Sequence, residues 1–438
     1  MRERALSRPT FLHVGFVFAL LLSACGAEGT GNQITGSGGN GSGGNGSGGS
    51  GSGGSGSGGV QTTDAAGSGG NGSGGAVIDA SGDTGPQPGT GGTVVDAATD
   101  RSGGSDATPP PDGGNGPLSA AVVTMMRKVA DWQVPRAGGA KDWTHGAMWT
   151  GIMATYKTTK DQKYLDAIKT WATPQWNLSG GAGARGDNQC AAQTFFDTYL
   201  LDPVPANMVM VNNAKMSFDQ MLGQNTAGRV EWWWEDALFM VPPGFARLGA
   251  ITGDKKYFDK MNTLYWDTYA FLWSNSSSLM FRDNNSRGAQ WARGNGWVIA
   301  GAARILEYLP QDDAKRPNFV KLIQDMAGAL KKVQGTDGCW RSNLLNAGAI
   351  PNPETSGTGF FTFGMSWGIN HGILDKATYL DTAHKGWDCL VSHVDASGML
   401  GYVQQIGAGP APASMNQTET YGVGAFLLAG SEIAKLIP

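Results

Sequence analysis

Histidine is scarce in this chain, five in 438 residues, and cysteine is scarcer, at four. No Cys-x-x-Cys and no His-x-x-x-His spacing occurs, so the ligand patterns of a zinc site are missing and no metal is expected. Charge is thin too, with 16% Asp, Glu, Lys and Arg and a formal net charge of −4, which gives no case for a nucleic-acid partner. Runs of period-two alternation, the mark of half-buried strands, are also lacking. The apolar stretch 11–22 is too short to span a membrane permanently.

What is there begins with an export signal. Arg2, Arg4 and Arg8 precede the apolar stretch, and Leu22-Ser23-Ala24-Cys25 follows it. A small pair before a cysteine resembles the lipobox of bacterial lipoproteins. That resemblance makes Cys25 the lipidated first residue of an exported protein, held to a membrane only by its lipid, at the cell surface or in the periplasm. An ordinary signal cleaved near Ala24 stays open. Residues 26–117 are rich in Gly, Ser, Asn and Asp, with repeated Gly-Ser-Gly-Gly units. Such a segment buries too little apolar surface to fold and reads as a disordered tether. Cys190, Cys339 and Cys389 remain beyond it, an odd number that allows at most one disulfide within the chain.

Residues 118–438 show helical periods almost throughout. The expected helices are 119–134, 144–157, 161–173, 188–201, 206–223, 236–251, 254–273, 295–309, 315–334, 357–374, 376–393 and 418–436. Stretches 295–309 and 418–436 are apolar nearly all round, as buried inner helices are. Stretches 254–273 and 315–334 carry Lys and Asp faces, as outer helices do. Twelve helices in six pairs predict an all-α fold, an (α/α)6 barrel with a concave bowl at one end. Pro242-Pro243 falls near the start of its helix and is expected to delay or kink it.

The densest chemistry lies in Glu231-Trp232-Trp233-Trp234-Glu235-Asp236. Indoles stack on sugar faces or fill a core. A carboxylate among them sits in a low-dielectric wall that raises its pKa towards that of a general acid. Capping the following helix is the competing role for Asp236. Two further clusters precede inner helices: Arg185-Gly186-Asp187-Asn188-Gln189 and Trp291-Ala292-Arg293-Gly294-Asn295-Gly296-Trp297. Asp187 is a candidate site carboxylate or an N-cap. Arg293 suits a bidentate grip on a carboxylate, or ties loops together. Glu354 reads first as a cap, and His145 is a lesser candidate for the bowl.

These motifs carry a resemblance. Trp-Glu-Asp-Ala-Leu-Phe-Met (234–240), Trp-Ala-Arg-Gly-Asn-Gly-Trp (291–297), Glu-Thr-Ser-Gly-Thr (354–358) and Glu-Thr-Tyr-Gly-Val-Gly-Ala-Phe (419–426) look like glycoside hydrolase family 105. That family is the unsaturated rhamnogalacturonyl hydrolases. More distantly, the chain is similar to the unsaturated glucuronyl hydrolases of family 88. The resemblance implies an (α/α)6 barrel, no cofactor, and acidic oligosaccharide substrates of pectin or rhamnogalacturonan type, left by lyases and ending in a 4,5-unsaturated uronic acid. It also implies hydration of that sugar's double bond, with Asp236 as general acid/base and Asp187 helping to position sugar and water. Trp291, Arg293 and Trp297 match pocket residues, and Trp234 stands beside the acid. Arg282 stands where many members carry a histidine, which leaves the linked sugar and parent polymer open. A conventional inverting glycosidase acting through Asp187 and Asp236, or a non-catalytic glycan-binding lipoprotein, are the competing functions.

Overall fold

The structure is a computed structural model that describes residues 117–438 except Ser286 and Gly288. The expected export signal, Cys25 and nearly all of the expected tether lie outside the described residues. In chain order the helices are α1 (Ala120–Gln133), α2 (Trp143–Thr159), α3 (Gln162–Ala172), α4 (Ala192–Leu201), α5 (Val209–Leu222), α6 (Gly228–Glu231) and α7 (Ala237–Met240). There follow α8 (Pro242–Thr252), α9 (Lys256–Leu272), α10 (Ala292–Leu306), α11 (Arg316–Lys332), α12 (Thr355–Asn370), α13 (Lys376–Ser392) and α14 (Thr420–Ile433). Setting aside the single turns α6 and α7, twelve helices alternate between an outer and an inner layer.

The inner layer closes into a ring. Helix α2 packs on α4, α4 on α8, α8 on α10, α10 on α12, α12 on α14, and α14 back on α2. Burial shows the two layers directly. Every residue of α10 is buried, as is every residue of α12 up to Ile369. Outer α11 buries only the stripe Phe319, Leu322, Ile323, Met326, Ala327 and Leu330, the spacing of one helix face. Glycine lets the inner helices touch: a Cβ added at Gly151 would lie 2.6 Å from the Gly424 carbonyl oxygen. The residue before α1 is tied to the segment after α14: Ser119 N donates to Ala434 O at 2.9 Å and Ser119 Oγ to Pro438 O at 2.8 Å.

The barrel therefore matches the expected architecture, with local differences. The expected helix 236–251 is two pieces, because Val241 precedes Pro242-Pro243 and a second helix restarts at Pro242. The expected helix 295–309 begins earlier, at Ala292, so Gly294 and Gly296 lie inside its first turns. Residues 188–191 form a 3-10 turn ahead of α4. A two-residue hairpin, β1 (Trp273–Ser274) paired antiparallel with β2 (Leu279–Met280), follows α9. It is too short to leave a period in the sequence. Among the described residues Cys339 and Cys389 form the one disulfide, and Cys190 is free and buried.

Candidate active site

Because inner and outer helices alternate, the inner helices all start at the same mouth. Asp142 precedes α2, Asp187 the turn into α4, Asp236 α7, Trp291 α10, Glu354 α12 and Glu419 α14. Three of these acids are spent differently. Glu354 caps α12, accepting from Ser356 N at 3.0 Å and Gly357 N at 2.7 Å. Neither Asp236 nor Asp187 makes a capping bond with its side chain.

Asp236 is only 9% exposed, and its Oδ1 has no partner among the described residues. Burial pushes its pKa up to about 6; Arg293 and Arg282 pull it down and Asp187 pushes it up. The carboxyl is thus poised to give and recover a proton near neutral pH. Asp187 stands exposed on the rim. The wall behind it still removes enough water for desolvation to raise its pKa, and the charge of Asp142 adds to that.

Glu235 is fully buried and its pKa is raised well above the usual carboxylate range, by desolvation first and then by Asp236. It braces the wall. Its backbone N donates to Arg282 O at 2.8 Å, and Asn295 Nδ2 donates to its Oε2 at 3.2 Å. A Cβ added at Gly294 would fall 1.7 Å from Glu235 Oε1. The Arg-Gly-Asn-Gly-Trp motif is therefore built around this acid: glycine makes room for it and Asn295 binds it. Asn295 also bonds the backbone of Met280 on β2, at 2.8 and 3.0 Å, and so fixes the hairpin beside the site.

Arg293 is 1% exposed. Its Nη1 donates to Gln404 O at 2.7 Å and Tyr421 Oη at 3.2 Å, and its Nη2 to Gln405 O at 3.3 Å. It ties down the 404–405 loop and sets a positive charge near Asp236, while its Nε has no partner among the described residues. Trp291 and Trp297 are fully buried, so neither offers an open ring face. Trp291 Nε1 donates to Gln404 Oε1 at 2.9 Å. Trp297 packs under the floor against Phe360 and Phe239, with centroids 4.3 and 4.9 Å away.

The rim is more open. Trp234 lies over Gly186, whose φ of +31° and close approach to that indole suit glycine alone. Trp233 is 45% exposed and packs against Trp234 at 4.9 Å. Arg282 stands 5.7 Å over Trp233 and pairs with Asp283. On the far side His145 Nδ1 meets Asp142 Oδ1 at 2.8 Å, a bond that raises the histidine's pKa. Burial opposes ionisation of Asp142, but the bonds from His145 and Thr144 hold it well below the usual range. The structure thus brings His145, Asp187, Trp234, Asp236, Arg282 and Arg293 to one mouth, with Trp291 and Trp297 behind its wall. Asp142, Trp143, Tyr421 and Gln404 were missed. Asp142 stands three residues before His145, and Tyr421 lies inside the Glu-Thr-Tyr motif, so both had a signal. Trp143 stacks on Tyr421 at 5.0 Å across a long sequence gap that no local pattern shows.

No metal set forms at this mouth. Among the described residues the one group close enough to hold an ion is Cys339, Cys389 and His393, and its two sulfurs are joined to each other.

Residues 119–437 match the family described as Glycosyl Hydrolase Family 88. An unsaturated 3S-rhamnoglycuronyl hydrolase of Formosa agariphila is 34% identical over 345 residues, 72% of this chain and 91% of its own. A solved structure of a glycosyl hydrolase family 88 protein from Bacteroides vulgatus is 27% identical, with a TM-score of 0.68, over 73% of this chain and 100% of its own. Another, described as a polysaccharide lyase, is 32% identical, with a TM-score of 0.67, over 72% and 97%. The family match spans the barrel from its first helix to its last, and the chain belongs to glycosyl hydrolase family 88.

Proposed function

We propose that this mouth removes a terminal 4,5-unsaturated uronic acid from lyase-generated acidic oligosaccharides, by hydrating the C4=C5 enol ether. The observation that carries the reading is Asp236, buried, without a partner at Oδ1 among the described residues, and titrating at about 6. Asp236 gives its proton to C4, and positive charge builds at C5 and the ring oxygen. Water adds at C5, returning a proton to Asp236 while Asp187 orients the attacking oxygen. The resulting hemiketal opens and releases the linked sugar. Arg282 and Arg293 supply the positive field that an acidic sugar needs. The name of the Formosa agariphila relative supports rhamnose as the linked sugar. Cys25 is proposed as the lipid anchor of an exported enzyme, on the strength of Leu22-Ser23-Ala24-Cys25; Cys25→Ser is expected to abolish lipid labelling and release the protein.

The test follows the ultraviolet absorbance of the double bond with an unsaturated uronyl–rhamnose oligosaccharide. Wild type is expected to consume the absorbance, and in heavy water to place deuterium on C4 of the released keto sugar. Asp236→Asn is expected to stay folded and lose about 10²-fold or more in turnover. The relative described as a lyase motivates one other outcome, a rise in absorbance from saturated polymer, which marks elimination; separately, cleavage of a saturated uronoside without deuterium at C4 marks conventional hydrolysis. Either result replaces the hydration reading.

A further inference from the structure

The other end of the barrel holds a second cavity, of about 340 Å³, lined by residues near the C-terminal ends of α2, α4, α10, α12 and α14. Its floor is a buried ion cluster. Asp197, 2% exposed, accepts from Arg247 Nε at 2.8 Å, Arg304 Nη2 at 3.2 Å and Tyr308 Oη at 3.0 Å. Lys157 Nζ stands 3.6 Å from the same carboxylate, beyond ordinary hydrogen-bond length. Glu307 takes the remaining side of Arg247 at 2.9 Å. Three cations, Arg247, Arg304 and Lys157, therefore face two carboxylates, Asp197 and Glu307. Glu432 and Lys435 on the wall pair with each other at 2.9 Å.

Two donors carry the excess into the cavity. Arg304 is 4% exposed, and its Nε and Nη2 bond Gln193 and Asp197, while its Nη1 has no hydrogen-bond partner among the described residues. Burial first and then the neighbouring Arg247 lower its pKa, while Glu307 and Asp197 raise it. Lys157 is 40% exposed at the cavity edge. The walls are aromatic: Tyr308, Phe363 and Trp367 line the space, and Trp367 is stacked on His371 at 4.0 Å.

We propose that this end binds a second small ligand, a carboxylate-bearing sugar of about one ring, with the carboxylate on Lys157 Nζ and Arg304 Nη1. A guanidinium and an ammonium side by side suit a carboxylate, aromatic walls suit a ring face, and a volume of this size holds a monosaccharide. The site lies at the opposite end of the inner helices from Asp236, so it is distinct from the candidate active site.

The test uses glucuronate, with glucose as the neutral control, on the full barrel. Calorimetry of wild type is expected to resolve glucuronate binding that Lys157→Met weakens about tenfold or more, with glucose binding weaker in wild type and indifferent to the substitution. Crystals soaked in glucuronate are expected to show it between Lys157 and Arg304, a readout independent of how the variant folds. Identical isotherms for wild type and Lys157→Met, glucuronate seen only at the Asp236 mouth, or equal displacement by inorganic phosphate would each overturn the proposal.

Discussion

Glu235 and Asp236 are adjacent in the chain and both buried; Asn295 holds Glu235 at Oε2, while Glu235 Oε1 and Asp236 Oδ1 have no partner among the described residues. A carboxyl whose pKa rises on folding binds its proton more tightly in the folded state. For Asp236 the unfolded value is about 3.9 and the folded value about 6. The cost of ionising it in place is absent below the unfolded value, grows between the two, and stays constant above. Asp236→Asn removes that cost, so the variant is expected to be more stable than wild type by about 1–3 kcal/mol at pH 7, with the gain vanishing below about pH 4. Urea titrations across pH would show it; a variant no more stable at pH 7 would mean that Asp236 is not a stressed acid. Activity has the opposite sign. The proton needed for transfer is lost as pH rises through about 6, so kcat/KM is expected to fall on that limb. Arg282 holds this pKa down, so Arg282→Gln should move the falling limb to higher pH. A limb that stays put would separate Arg282 from the acid. Asp236 itself was legible in the sequence, because indoles and carboxylates crowd one stretch. The division of work between the two acids was not, since it depends on Asn295 and Gly294, nearly sixty residues away in the chain.

Helix identity was read well from pattern where one face is apolar, as in α11, and where all faces are, as in α10 and α14. Helix starts were read less well at the mouth, where the site bends local rules. The first turns of α10 hold two glycines that local propensity disfavours, and the reading began the helix at Asn295. The structure explains both: Gly294 leaves space for Glu235, and a Cβ at Gly296 would come 2.9 Å from Phe360 Cβ. Propensity alone favours alanine in a helix by about 1 kcal/mol. Here the expected outcome is reversed. Gly294→Ala puts a methyl against a fully buried carboxyl, which has to leave its Asn295 bond or shift the β1–β2 hairpin. A loss of about 2–4 kcal/mol in unfolding free energy is expected, with kcat/KM falling because Asp236 is the next residue along the displaced chain. Unchanged stability in Gly294→Ala would mean that Glu235 does not need that space. Arg293 teaches the same lesson on the element scale: the sequence left gripping a carboxylate and tying loops both open, and its bonds to Gln404, Gln405 and Tyr421 show the loop-tying role.

At the scale of the whole molecule, one topology makes two ends. Six inner helices running the same way gather their starts at one mouth, with its raised carboxyls, and their ends at the other, with its excess of cations. Both ends, the disulfide and the contacts between α1 and α14 fall within residues 117–438. The clasp between the residue before α1 and the segment after α14 is local to the domain as well: Ser119 bonds Ala434 and Pro438. A closed ring has no free edge that needs a preceding segment to cover it, and the Gly- and Ser-rich residues before it offer little apolar surface with which to dock. A protein beginning at residue 117 is therefore expected to fold with the melting temperature of the longer chain and to keep its kcat/KM within about twofold. Beginning instead at Ala121 removes Ser119 and with it the clasp, and a lower melting temperature is expected there, by several degrees for about 1–2 kcal/mol of lost hydrogen bonding. Circular dichroism melts of the two truncations beside the full chain decide it. If the 117 start already melts early or loses activity, the boundary is wrong and the preceding segment contributes to the barrel; if both starts melt alike, α1 is held by helix packing and the Ser119 bonds add nothing measurable.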